Sequence, residues 1–132
     1  GPWGGPAIAS YYGGKSLHKR SHGEAFFTVF EAKCRRDGLF LFDEPEAALS
    51  AQRQLALIRL LQDTLNKSTG AQFVICTHSP LLLAFPGAQI LSFDDASVHE
   101  ITYEETAPYL IYRRYVGQDA IAELLKTNSM DQ

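Results

Sequence analysis

Leu39-Phe40-Leu41-Phe42-Asp43-Glu44-Pro45-Glu46-Ala47-Ala48-Leu49-Ser50 is the stretch on which the reading of this chain turns. Four large apolar residues, entered from Gly38, stop abruptly at two adjacent carboxylates. An apolar run that short, closed by a proline, predicts a strand buried on both faces of a sheet. Asp43 and Glu44 then emerge at its carboxyl end, the edge where open α/β sheets place their ligands. Neighbouring residues of a strand point to opposite sides, so one acid can hold a cation while the other faces a water. Pro45 disfavours helical geometry at Glu44 and predicts that this acid stays in the extended segment. The plainer alternative is a strand followed by a solvated acidic turn.

Working outward, Ser21 followed by Glu24 is a capping box that predicts a helix start, and Phe26, Val29, Phe30 and Cys34 recur at helical spacing. Gly38 ends that helix. After the acidic corner a second helix is predicted from about Ser50 to Lys67, with Leu55, Ile58, Leu61 and Leu65 on one face. Ser68-Thr69-Gly70 stops it, and Phe73-Val74-Ile75-Cys76 reads as a second buried strand. A strand, a helix and a strand of this kind form a right-handed crossover with parallel strands. Its polar end is Thr77-His78-Ser79-Pro80, where serine and proline open a short helix over Leu81 to Ala84. Gln89–Phe93 and Ser97–Ile101 read as paired strands around Asp94-Asp95. Thr102–Tyr115 and Asp119–Lys126 read as helices, with Pro108 interrupting the first or lying in its opening turn. The expected organisation is a loop over 1–20, in which Gly1-Pro2 could be an expression scar, a main unit over 21–102 and a helical extension over 103–132, frayed from 127.

A chain of 132 residues makes about one domain. Its 45% hydrophobic and 20% charged residues are those of an ordinary globular protein. A net charge of −3 speaks against a dedicated nucleic-acid surface but leaves room for a local basic patch. Cys34 and Cys76 fit neither a zinc spacing nor a disulfide framework, which suggests a reducing, cytoplasmic setting. No stretch approaches the ~20 apolar residues of a membrane span. The amino-terminal segment lacks the pattern of a signal peptide.

Parallel strands bring Asp43, Glu44 and His78 to one edge of the sheet. Two acids and an imidazole there suit metal-assisted hydrolysis, one group binding Mg²⁺, one activating water and one steadying negative charge. The free N–H groups of the helix start at Ser21 favour phosphate, and Gly23 lets the backbone come close.

In this order the motifs resemble those of ATP-binding-cassette ATPases. Arg20-Ser21-His22-Gly23-Glu24 is similar to the signature motif, and Leu39 to Glu44 to the Walker B segment. Glu46-Ala47-Ala48-Leu49-Ser50 resembles the D-loop, and Thr77-His78-Ser79-Pro80 the switch-histidine segment. The pairing of Asp-Glu-Pro-Glu with Thr-His-Ser-Pro looks most like the soluble AAA-type members, relatives of the structural-maintenance-of-chromosomes and overcoming-lysogenization-defect ATPases. The resemblance, which covers about Ser21 to Phe93, implies a partial P-loop NTPase-like α/β fold with a parallel sheet flanked by helices, to which the sequence pattern adds a small antiparallel hairpin and carboxyl-terminal helices. It implies that Asp43 binds Mg²⁺ through water, that Glu44 is the general base and that His78 senses the γ-phosphate of ATP. Ser21, His22, Gly23 and Glu24 would contact ATP held by a second subunit, and Ala48, Leu49 and Ser50 would lie at a homodimer interface. His22 stands where transporters usually have glycine.

The pattern departs from the family in one large respect. No Gly-x-x-x-x-Gly-Lys-Ser/Thr run occurs in the sequence; Gly13-Gly14-Lys15-Ser16 has its tail, but position 9 is Ala9. The chain thus resembles the second half of such an ATPase, expected to be inactive by itself. A non-catalytic module that donates its signature turn to a partner's ATP is the competing reading, and a metal-dependent nuclease a weaker third. Which process the hydrolysis would drive does not follow from the fold.

Overall fold

A computed structural model describes residues 22–127. The loop expected over 1–20, Ser21 of the capping box and the tail from 128 lie outside the described residues. Two compact units part between Phe85 and Pro86.

The first unit runs α1 (His22–Lys33), β1 (Gly38–Asp43), a 3-10 turn at Pro45–Ala48, α2 (Ala51–Lys67), β2 (Ala71–Cys76) and a one-turn helix α3 (Pro80–Leu83). The two strands pair in parallel, Gly38 opposite Ala71 and Asp43 opposite Cys76. Parallel neighbours cannot be joined by a tight turn, and α2 supplies the crossover. This is the α/β arrangement that the sequence predicts.

Aromatic rings dominate the core. Phe26, Val29, Phe30 and Cys34, from α1 and the turn after it, pack with Phe40 and Phe42 of β1, and Phe73 of β2 lies against them. Phe30 stacks on Phe42 at 5.8 Å and on Phe73 at 5.7 Å between ring centroids. Each fully buried side chain of this size contributes about 1.5–3 kcal/mol. Ser50 caps α2 by accepting the Arg53 N–H at 3.2 Å. Arg35, beyond the end of α1, forms an ion pair with Asp63 of α2. At the amino-terminal end of the sheet, the Asp37 carboxylate accepts from the Ser68 hydroxyl and from the Gly70 N–H. A side chain at position 70 would run into it, a Cβ meeting Asp37 Cγ at 2.7 Å.

Two expectations about burial are corrected. The strands are not buried on both faces: Phe40 and Phe42 are in the core, whereas Leu39, Leu41 and Val74 are 59%, 44% and 45% exposed. An unbroken apolar run is silent about whether one face or two are covered, and here the alternation along the strand sends these residues away from the helices' cluster. On α2 the buried stripe is Leu57, Leu61 and Thr64, while Leu55 and Leu65 are exposed. The spacing i, i+4, i+7 serves the stripe as well as the expected one does. Thr64 can join it because its hydroxyl donates to the Leu60 carbonyl at 2.9 Å.

In the second unit β3 (Ile90–Ser92) and β4 (His99–Ile101) pair antiparallel, Ile90 opposite Ile101. A 3-10 turn at Tyr103–Glu105 precedes α4 (Ala107–Tyr115) and α5 (Gln118–Thr127). The predicted helix from Thr102 therefore starts later, at Ala107, with Pro108 in its opening turn and Thr106 as its cap. The Glu105 carboxylate accepts the Thr102 N–H at 2.9 Å, and this bond holds it below the usual carboxylate range. No helix among the described residues is long and apolar enough to cross a membrane.

Candidate functional site

The two parallel strands end together, and the polar residues gather there. Past the Asp43–Cys76 pair, the Glu44 N–H donates to the Cys76 carbonyl at 2.7 Å, so the ladder runs one residue further. Thr77, His78 and Ser79 follow at once on the neighbouring strand. Asp43, Glu44 and His78 therefore share one rim of the sheet, and all three are exposed.

Glu44 itself is not extended, contrary to the reading of Pro45. It lies in the left-handed region, φ 49° and ψ 56°. The proline closes the right-handed helical region to the residue before it. The chain must nevertheless bend from β1 into the 3-10 turn, where the Glu44 carbonyl accepts the Ala47 N–H at 3.0 Å. A non-glycine residue in this conformation costs about 1–2 kcal/mol. Among the described residues Glu44 alone of the non-glycines has a positive φ, and it carries one of the two acids. Backbone strain at an acid on this rim is a pointer to function.

The corner after Glu44 is tied to the turn after β2. The Glu46 carboxylate accepts the Thr77 hydroxyl at 2.6 Å and the His78 N–H at 2.8 Å. Gln54, in the first turns of α2, donates to the Leu49 carbonyl at 3.2 Å and also bonds the Ser79 hydroxyl. Buried Pro45 and Leu49 anchor the corner from beneath. Of the run expected at a subunit interface, Leu49 is in the core, Ala48 is half-buried, and exposed Ser50 uses its hydroxyl to cap α2.

At the start of α1, His22 opens the helix, Gly23 is buried and Glu24 is exposed. The α1 helix packs against the Pro45–Ala48 turn. The Arg53 side chain lies over Gly23, where an added Cβ would come within 2.8 Å of its Cδ. The glycine thus makes room for a guanidinium from α2 beside the first turn of α1. Glu46 and Arg53 belong to none of the roles that the sequence pattern predicts. The second acid of Asp-Glu-Pro-Glu and the threonine before His78 were the available signal for the former.

Among the described residues no group of three or more His, Cys, Asp or Glu side chains could hold a metal. Mg²⁺ is commonly held by only one or two carboxylates together with a substrate's phosphates. A single rim carboxylate such as that of exposed Asp43 is compatible with an ion shared in that way, and not with a cage made by protein alone.

A family model described as an AAA ATPase domain matches residues 16–83, just over half of the chain. The matched window covers α1 to α3 and the entire rim. No match is found among curated proteins.

Proposed function

The chain belongs to the AAA ATPase domain family, and from that premise we propose that its rim is the hydrolytic half of an ATP-binding-cassette-type site completed at a dimer interface. Glu44 is the general base that orients and deprotonates the attacking water. Asp43 would hold Mg²⁺ through water, and the ion when bound would neutralise charge on the phosphates. His78 contacts the γ-phosphate. The Ser21, His22, Gly23 and Glu24 run would meet ATP bound by a second copy, and the segment of Ala48, Leu49 and Ser50, with Leu49 buried beneath it, would lie where the copies meet. The likeness to the structural-maintenance-of-chromosomes and overcoming-lysogenization-defect ATPases belongs to the same proposal.

One observation does most to support this reading. The parallel register, prolonged by the Glu44–Cys76 hydrogen bond, brings an acid pair and a histidine from separate strands to one edge. The test is ATP turnover by a longer chain that adds an upstream phosphate-cradling loop. Glu44→Gln is expected to lower turnover by roughly 10²–10⁴-fold, the usual contribution of a general base. Unchanged turnover removes Glu44 from that role. The 132-residue chain alone is expected to turn over ATP at background.

A second reading, compatible with the lack of a Gly-x-x-x-x-Gly-Lys-Ser/Thr run within these 132 residues, is a module that binds a partner's ATP without hydrolysing it. ATP-dependent association with such a partner that is lost in Ser21→Ala, together with ATP turnover by the complex that Glu44→Gln leaves unchanged, would select it.

A further inference from the structure

Glu46 has no part in the reading above, yet it makes the shortest well-formed link across the rim. Its two carboxylate oxygens are both used: one accepts the Thr77 hydroxyl at 2.6 Å, the other the His78 N–H at 2.8 Å. The Thr77 oxygen in turn accepts the Ser79 N–H at 3.0 Å. Residues 77–79 belong to no helix and no strand, so these bonds take the place of regular structure in holding the segment. Hydrogen bonds to a carboxylate are about twice as strong as those between neutral groups. The carboxylate is itself held, because Glu46 follows buried Pro45 and sits in the 3-10 turn, whose Leu49 N–H donates to the Glu46 carbonyl at 3.1 Å.

We propose that Glu46 is a positioning residue: its two-pronged grip on Thr77 and on the His78 amide fixes where the backbone presents the His78 ring at the rim. This rests on the assignment of His78 as a phosphate-contacting group. It also gives the corner a mechanical meaning. The 45–50 corner, whose Ala48–Ser50 run is proposed to meet a second subunit, and the 77–79 turn are joined through Glu46 and, separately, through Gln54, so a displacement of one moves the other.

Glutamine at position 46 can keep most of this grip, since its carbonyl accepts the His78 N–H and its amide can donate to the Thr77 oxygen. Alanine keeps none of it. Amide hydrogen exchange in the full chain, followed by NMR, separates the cases. In Glu46→Ala the His78 amide should exchange at least ~10-fold faster, as expected for losing a charge-assisted bond. Ladder amides such as those of Phe42 and Ile75 should stay within about twofold, and Glu46→Gln should stay within about threefold of the parent at His78. An unaltered His78 amide in Glu46→Ala overturns the proposal. So does equal acceleration of the ladder amides, or a glutamine variant that behaves like alanine. With an added phosphate-cradling loop, Glu46→Ala should lower kcat about tenfold and leave KM within about twofold. If Glu44→Gln abolishes turnover while Glu46→Ala leaves His78 exchange unaltered, the hydrolytic reading stands and the positioning role fails. If exchange responds but Glu44→Gln leaves turnover unchanged, the hydrolytic reading fails instead.

Discussion

Glu44 holds a left-handed backbone without the exemption that glycine enjoys. Relieving that strain and removing the carboxylate are separable by the choice of substitution. Glu44→Ala and Glu44→Gly both delete the acid, but only glycine tolerates the conformation freely. Glycine also gives the unfolded chain more freedom, which offsets part of the gain. The glycine variant is therefore expected to be more stable than the alanine variant by roughly 0.5–1 kcal/mol in urea unfolding. An alanine variant more stable than the glycine variant would show that position 44 bears no strain. A second residue-scale consequence concerns the thiols. Cys34 is buried, and burial pushes its thiol up to about 11, with the Arg36 cation drawing it slightly back down. The folded state therefore keeps this proton at pH values where the unfolded chain, near the ordinary ~8.5, has already lost it. Stability is undiminished below that ordinary value and falls as pH rises towards about 11. Unfolding measured across that window should show a steeper decline in the parent than in Cys34→Ala. In the native state a thiol reagent should modify exposed Cys76 and spare Cys34.

At the scale of the element, α2 makes the sharpest test of packing. Leu57 is fully buried and Leu55 is 49% exposed, although the two are equally apolar and lie half a turn apart. Leu57→Ala is expected to cost about 2–5 kcal/mol and Leu55→Ala well under 1 kcal/mol, read from urea midpoints at constant m. A reversed order would restore the face inferred from sequence. That face was misread for a physical reason. The helix has leucines at positions 55, 57, 60, 61 and 65, so periodicity admits more than one stripe, and the deciding residue is Thr64, whose polar atom is satisfied within its own helix. Strand type and direction were easier to read. An apolar run closed by Pro45, a capped helix and a second apolar run leave little choice but a parallel pair, and Ser50 and Ser79 announce the helices that follow them. How many faces of that pair are covered depends on what lies beyond the strands, which no local pattern reports.

At the scale of the whole molecule, the rim residues Asp43, Glu44 and His78 were legible because parallel strands must finish on the same side. Glu46 and Arg53 were not, because their partners are 31 and 30 residues away in sequence and meet them only after the crossover closes. The two units also differ in what holds them. Every buried apolar side chain among the described residues lies between Ala25 and Leu82. Beyond Phe85, among the described residues only Thr106 is buried, while Leu110, Ile111, Tyr112, Val116, Ile121 and Leu125 are all at least 41% exposed. Opening free energy follows buried apolar contact, so the two units should not share one protection level. The β3–β4 hairpin rests on three-residue strands, and α4 and α5 are of nine and ten residues, below the length at which helices are stable in water without packing. Hydrogen exchange read by mass spectrometry on the full chain should therefore show peptides from 86–127 exchanging on the order of 100-fold faster than those of α1, β1 and β2. Common exchange rates throughout would mean that the second unit draws its stability from the first and opens only with it.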